Sequence, residues 1–300
     1  MGVILLTGST GQVGRELLRT LAPLGEVVAP TRSEMDLSDS ESVRKQIRVA
    51  RPRWIVNPAA YTAVDKAESE PELAYAINAE AVRAIGEEAR RIGAAVIHFS
   101  TDYVFRGTGD TPYVETDVAE PASVYGASKL AGEKSLAGTG SAHCIFRTSW
   151  VYGGHGKNFL LTILKAARER ERLPVVADQH GAPTWSRDLA RMTARAIERM
   201  EAWANGRELQ ETQSEWSGVY HAAGAGETTW YGFATEAIRL ERERKPGVKL
   251  AEVDAITTAE YPTPAKRPAN SRLNCGKLEA RFGLRMMDWR ESLGEVMHEL

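Results

Sequence analysis

The stretch Gly8-Ser9-Thr10-Gly11-Gln12-Val13-Gly14 constrains this chain more than any other. It follows the apolar run Val3-Ile4-Leu5-Leu6-Thr7. It leads into a segment, 11–24, whose Val13, Leu17, Leu18 and Leu21 fall on one side of a helix. A buried strand, a turn with Gly-x-x-Gly-x-x-Gly spacing and a helix, in that order, make a cradle for a dinucleotide. Gly8 permits the tight turn, Gly11 lets the backbone approach a pyrophosphate, and Gly14 lets the helix pack on the strand. The helix start adds unpaired N–H groups and the positive end of its dipole. Thr10, Gln12 and Val13 lie within the turn and join the candidate cofactor-binding set. No Gly-Lys-Ser/Thr follows, which excludes a Walker loop.

The rest of the first half alternates short apolar strands with helical stretches. Strands are predicted at 26–29, 54–57, 95–100 and 144–147. Helices are predicted from a cap at Asp39 or Ser40 to about Val49, over 72–92, and from near Tyr125. Such alternation implies an α/β fold with a doubly wound parallel (Rossmann) sheet. The second half is less regular, with helices near 159–172, 188–203, 230–243 and 289–300 and extended pieces at 174–177 and 218–222. Residues 205–217 read as a polar surface loop or helix end, and 239–245 as a solvated, charge-rich helix end. The expected division is a nucleotide domain over 1–150 and a smaller α/β substrate lobe over 151–300, with a segment of the lobe free to return to the first domain.

Charge and cysteine usage narrow the class. The 300 residues carry a formal charge of −2 and a pI of about 6.4, so the electrostatic footprint of a nucleic-acid binder is missing. No apolar run is long enough for a membrane span or a secretory leader. Cys144 and Cys275 form no disulfide framework and no Cys-x-x-Cys pair, which fits a reducing, cytoplasmic setting. The six histidines show no ligand-like pairing, so no catalytic metal is expected.

Cofactor choice should be set at the end of the second strand, where NAD-dependent enzymes carry an acid. Here Arg32 occupies that region, suited to a 2′-phosphate, and NADPH is favoured over NADH with dual use allowed. Asp36 and Leu37 are placed to flank the adenine. In Tyr125-Gly126-Ala127-Ser128-Lys129, tyrosine and lysine are four residues apart and share a helix face. A nearby ammonium would favour the phenolate and lower the tyrosine pKa, making an acid–base pair. Ser100-Thr101-Asp102 ends the fourth strand, on the sheet edge where ligands of open α/β sheets bind. The Thr101 hydroxyl there can hold a substrate carbonyl oxygen.

Together these strings resemble the extended short-chain dehydrogenase/reductases, nucleotide-sugar enzymes, and most closely the dTDP-4-dehydrorhamnose reductase family. The resemblance is carried by residues 7–14, by Asn57-Pro58-Ala59-Ala60-Tyr61-Thr62-Ala63-Val64-Asp65-Lys66-Ala67-Glu68 and by Ser100-Thr101-Asp102-Tyr103-Val104-Phe105. It continues through 125–129, 147–153, 178–184 and 267–271, and so spans nearly the whole chain. It implies an NADPH-dependent reduction of the C4 keto group of a dTDP-4-dehydro sugar. Tyr125 would be the proton donor, Lys129 would bond the nicotinamide ribose, and Thr101 would hold the C4 oxygen. Ala59, Ala60, Tyr61 and Thr62 would touch the cofactor, and Asp102, Tyr103 and Trp150 the sugar. Some members are described as dimers around magnesium. Glu16 matches one carboxylate ligand, but Arg187 stands where a second would follow 181–184, which argues against the metal. Monomer and homodimer both stay open. Two other readings compete: an epimerase or different keto-reductase of the same superfamily, and a non-catalytic regulatory subunit that binds NADP.

Overall fold

Strand β1 (Ile4–Leu6) is fully buried and lies inside a parallel sheet. The structure, a computed structural model, describes residues 2–300. After β1 come α1 (Gln12–Leu21), β2 (Val27–Val28), α2 (Ser40–Ala50), β3 (Trp54–Asn57), α3 (Ala81–Ile92), β4 (Ala95–Thr101), α4 (Val124–Gly138) and β5 (Ala142–Thr148). The chain continues with α5 (Phe159–Glu169), β6 (Arg172–Val176), α6 (Ser186–Ala204), β7 (Gly218–His221), α7 (Trp230–Arg244), β8 (Glu252–Ile256) and α8 (Trp289–Glu299). Six strands form the main sheet in the order β7-β5-β4-β3-β1-β2, with every pairing parallel. The order reverses between β1 and β3, and there the carboxyl ends of the strands open a crevice.

Both faces of this sheet are covered, which is why its strands are apolar throughout rather than alternating. On one face Leu17 and Leu21 of α1 and Leu189, Ile197 and Met200 of α6 pack against Ile4, Leu6, Ile97 and Phe146. On the other, Val43 and Ile47 of α2 and Ile85 of α3 cover Leu5, Ile55, Val96 and Ile145. Each such fully buried side chain contributes about 1.5–3 kcal/mol relative to exposure. A second core lies among α5, α7, α8 and the parallel pair β6–β8, built on Leu160, Leu164, Leu173, Phe233, Ile238 and Leu293. The sheet takes β7, and one helical layer takes α6, from beyond residue 150.

Three sequence expectations need correction. The helix predicted to reach Arg172 ends at Glu169, because 172–176 pairs with β8 and turns Leu173 and Val175 inward at a strand period. Residues 205–217 are a surface loop at a helix end only over 205–208, which are exposed; the rest is not. It holds the short helix Leu209–Thr212, and Leu209 and Trp216 are buried in the main core, with the Trp216 ring 5.9 Å from that of Trp54. The run 239–245 is not wholly solvated, since Glu241 is completely buried. Its carboxylate meets Arg168 at 2.6 Å, Arg244 at 2.8 Å and Lys245 at 3.1 Å, and these cations hold its pKa down at about 2 against the opposing effect of burial.

Candidate active site

The site is assembled from strand ends and helix starts. Asp39 caps α2, accepting from the Glu41 N–H at 2.9 Å, while Ser123 caps α4, accepting from the Gly126 N–H at 3.2 Å. The second cap starts α4 one turn before Lys129, and this puts Tyr125 and Lys129 on the face turned to β4. Gly126 makes that approach possible, since a Cβ there would lie 2.1 Å from the Tyr103 carbonyl oxygen. Behind α4, Asn78 in the π-helical segment Ala76–Glu80 donates to Ser128 Oγ at 3.0 Å and accepts from the Tyr61 N–H at 2.8 Å. This pins the loop after β3 to the helix that carries Tyr125.

Two neighbouring cavities result. The larger, about 690 Å³, brings the glycine turn, Ala59, Ala60 and Thr62 together with Thr101, Asp102, Tyr103, Tyr125, Lys129 and Trp150. The smaller, about 330 Å³, holds Arg32, Asp36 and Leu37 and shares Gly8, Thr10, Ala59 and Ala60 with the first. Residues read separately from the sequence thus line one continuous path. Tyr61 lines neither cavity, and its hydroxyl donates to Glu70 instead. Glu16 also lies off the path: its buried carboxylate accepts from Arg187 Nε at 3.0 Å.

The glycine turn fits a dinucleotide. Gly8 has a φ of +56°, the left-handed region, and a Cβ on Gly14 would lie 2.0 Å from the Gly8 carbonyl oxygen. No side chain caps the first N–H groups of α1, and its first turn contains no acid. The start of α1 is therefore open to an anion.

At the other end of the cavity the polar groups are buried and incompletely paired. Ser100 Oγ, Asp102 Oδ2 and Thr148 Oγ1 have no hydrogen-bond partner, although all three residues line the cavity. Such orphans suit a hydroxyl-rich ligand. Thr101 Oγ1 donates to Asp102 Oδ1 at 3.0 Å, and burial pushes the Asp102 carboxyl up to about 6. Trp150 adopts a φ of +48°, a costly conformation for a side chain of this size, and its indole stacks on Trp230 with ring centroids 3.7 Å apart. Trp230, Lys157 and Ser100 also line the cavity. Trp230 and Lys157 carry no local motif, so sequence reasoning passed over them, while Ser100 stood in the strand-end string without a role of its own.

The lysine–tyrosine pair differs from expectation. Lys129 is buried, and its ammonium donates to the Phe99 carbonyl at 2.6 Å and contacts His98 Nε2 at 3.3 Å. With the cation so engaged, burial dominates at Tyr125, where the phenol is pushed up to about 12. Thr101 opposes that rise by hydrogen bonding, while the Asp102 charge adds to it. Burial lowers Lys129 to about 8. The pair therefore shares a face and a cavity, but the ammonium does not depress the tyrosine pKa.

A family model described as RmlD substrate binding domain matches residues 1–300. The chain belongs to this family. Its RmlD-type sequence is 49% identical to a dTDP-4-dehydrorhamnose reductase of Escherichia coli (strain K12) over 99% of this chain and 97% of that one. Among solved structures, a dTDP-4-dehydrorhamnose reductase from Clostridium acetobutylicum superposes with a TM-score of 0.88 at 35% identity, covering 99% of each chain. The Bacillus anthracis reductase, solved in complex with NADP, gives 0.87 at 32% identity, again over 99% of each chain. With these relatives, the RmlD-type chain is a nicotinamide-dependent oxidoreductase on a Rossmann-type sheet. No described helix is long and apolar enough to cross a membrane.

Proposed function

We propose that this protein uses NADPH to reduce the C4 keto group of dTDP-4-dehydro-L-rhamnose, giving dTDP-L-rhamnose. The observation that carries the reading is the meeting of Thr101, Tyr125 and Lys129 at the carboxyl end of β4, in a cavity continuous with the glycine turn. The relatives' names supply the sugar and its nucleotide. The residues to 150, together with the returning β7 and α6, would hold the dinucleotide, and the second core would carry the sugar-binding wall.

Gly8, Thr10, Gly11, Gln12, Val13 and Gly14 would cradle the pyrophosphate, Arg32 the 2′-phosphate, and Asp36 and Leu37 the adenine. When bound, the reduced nicotinamide supplies the hydride for C4. The chain's part is to orient the ketone and deliver a proton. Thr101, turning its one hydroxyl proton from Asp102 to the ligand, would donate to the C4 oxygen from a fixed strand end. Tyr125, with a pKa of about 12, stays protonated at neutral pH, as a proton donor for reduction must be. Lys129, ordinarily charged at neutral pH, offers a positive charge beside the developing alkoxide and would bond the nicotinamide ribose. Asp102, Tyr103 and Trp150 would position the sugar, with Asp102 Oδ2 free to accept from a ring hydroxyl. The two thiols are free, in keeping with a reducing, cytoplasmic setting.

The test is substrate-dependent loss of reduced-nicotinamide absorbance, with Tyr125→Phe alongside. The parent should consume NADPH. The variant should bind NADPH nearly as well but turn over about a hundredfold more slowly or worse. Equal turnover would refute the role of Tyr125. No turnover by the parent with either NADPH or NADH, despite cofactor binding, would move the reading to another keto-sugar or to a regulatory subunit.

A further inference from the structure

A buried polar chain runs beneath the site to Lys129, and its other members, Thr7, Asn57 and His98, have no role above. Thr7, the last residue before the glycine turn, has Oγ1 2.6 Å from Asn57 Oδ1 at the end of β3. The Asn57 amide nitrogen lies 3.1 Å from His98 Nδ1 on β4, and His98 Nε2 lies 3.3 Å from Lys129 Nζ. Thr7, Asn57, His98 and Lys129 are all buried, and His98 is completely so. No solvent can substitute for a missing partner here, so donors and acceptors must match within the chain.

That requirement fixes the imidazole. An ammonium only donates, so His98 Nε2 must accept. A neutral imidazole that accepts at Nε2 carries its proton on Nδ1 and donates from there. Asn57 then turns its carbonyl oxygen to His98 and its amide to the Thr7 hydroxyl, the two amide orientations occupying the same space; the Thr7 hydroxyl, now accepting, keeps its own proton for the smaller cavity, which Thr7 lines. Thr7 Oγ1 also receives the Ala59 N–H at 3.3 Å. The charges around His98 favour the neutral form. Burial and Lys129 both lower its pKa well below the usual range, a hydrogen bond with the Asn57 backbone opposes this, and His143 on β5 adds to the lowering. Glu133, one turn past Lys129, raises the lysine pKa and is itself paired with Arg147 at 2.6 Å.

Resting on the reductase reading above, we propose that His98 is the positioning residue for Lys129: held as the neutral Nδ1–H tautomer by Asn57 and Thr7, it accepts from the ammonium and, with the Phe99 carbonyl, sets where the lysine stands. Two acceptors take two of the three ammonium hydrogens, which leaves one for the cavity that Lys129 lines. The chain Thr7–Asn57–His98 anchors the reactive lysine to the strand that starts the cofactor turn.

Two measurements decide this. The first is long-range ¹H–¹⁵N correlation on the full chain with ¹⁵N-labelled histidine, His98 being assigned by His98→Gln. The expected result is a neutral Nδ1–H imidazole from about pH 5 to about pH 7, where Lys129 is charged, and a changed tautomer balance or a raised pKa in Lys129→Met. An Nε2–H tautomer, titration near the ordinary histidine value, or no response to Lys129→Met overturns the proposal. The second is turnover of keto-sugar with NADPH. His98→Leu should lose about tenfold or more in kcat, and its alkaline limb should move; His98→Gln, which keeps an acceptor, should recover most of the loss. Equal losses in both variants, with an unmoved alkaline limb, would mean packing alone and overturn the proposal. Failure of the parent to reduce the sugar would sink the reductase reading, while the tautomer measurement would still decide the role of His98.

Discussion

Asp102→Asn should gain stability relative to the parent as pH rises toward neutral, while damaging activity. Asp102 is 3% exposed, and burial raises its carboxyl from the ordinary 3.8 to about 6. An acid whose folded pKa lies above its unfolded value binds its proton more tightly in the folded state. Stability therefore falls as pH rises from about 4 to about 6 and stays lost above that. The difference of about two pKa units corresponds to about 3 kcal/mol by neutral pH. Asparagine removes the charge and keeps an oxygen for the Thr101 hydroxyl, but leaves an amide where Oδ2 had no partner, a roughly constant cost of about 1–3 kcal/mol. That constant cancels when the difference between variant and parent is followed against pH. Between about pH 4 and about pH 8 the difference should move in favour of the variant by about 2 kcal/mol, or about 4 °C in Tm for a chain of this size. Thermal scans of both proteins across that range, without cofactor, provide the measurement. A flat difference would show that the Asp102 carboxylate is not disfavoured by burial and would refute the argument. Turnover should drop at least tenfold in the same variant, since a buried acceptor for the sugar is lost (about 1.4 kcal/mol per decade).

Other outcomes follow from the same geometry. Arg32→Ala should weaken NADPH about tenfold and NADH little, as measured by fluorescence titration, because only the 2′-phosphate loses a charge-assisted bond. An unchanged ratio of affinities would make Arg32 a bystander. Gly14→Ala should abolish dinucleotide binding while leaving the circular dichroism of the fold largely intact, since the added Cβ would lie 2.0 Å from the Gly8 carbonyl oxygen and force the turn apart. The free enzyme's kcat/KM should rise with pH through about 6, as Asp102 ionises, and fall through about 8, as Lys129 loses its charge. Asp102→Asn should remove the acid limb and leave the alkaline one.

Much of the architecture was legible because it rests on local rules. The strand at 54–57 and the helix from Trp230 announce themselves by apolar spacing, and Asp39 marks the start of α2 by its capping chemistry. The glycine turn, Thr101 and the Tyr125–Lys129 spacing are local too, since each is a backbone or helix-face requirement met within a few residues. Trp216 was missed for the opposite reason. It is a single aromatic in a polar stretch, buried because Trp54, from a distant segment, packs against it within the main core. Glu241 was read as solvated because mixed charge on a helix end usually is; Arg168, from another helix, is what allows it to be buried.

The sequence by itself determined that a dinucleotide cradle opens the chain, that strands and helices alternate around it, and that a hydroxyl, a phenol and an amine stand at the edge where ligands bind. Those are statements about neighbours along the chain, and spacing encodes them. Only the tertiary structure decided where the Lys129 charge goes. That depends on His98 and the Phe99 carbonyl, which reach it across the β4–α4 interface at 3.3 and 2.6 Å. The same holds for the tyrosine: its pKa is set by the depth of burial, by the opposing hydrogen bond with Thr101 and by Asp102, not by the lysine four residues on. Desolvation and charge act through space in a medium of low dielectric constant. They are properties of the packed molecule, which no spacing of residues along the chain records.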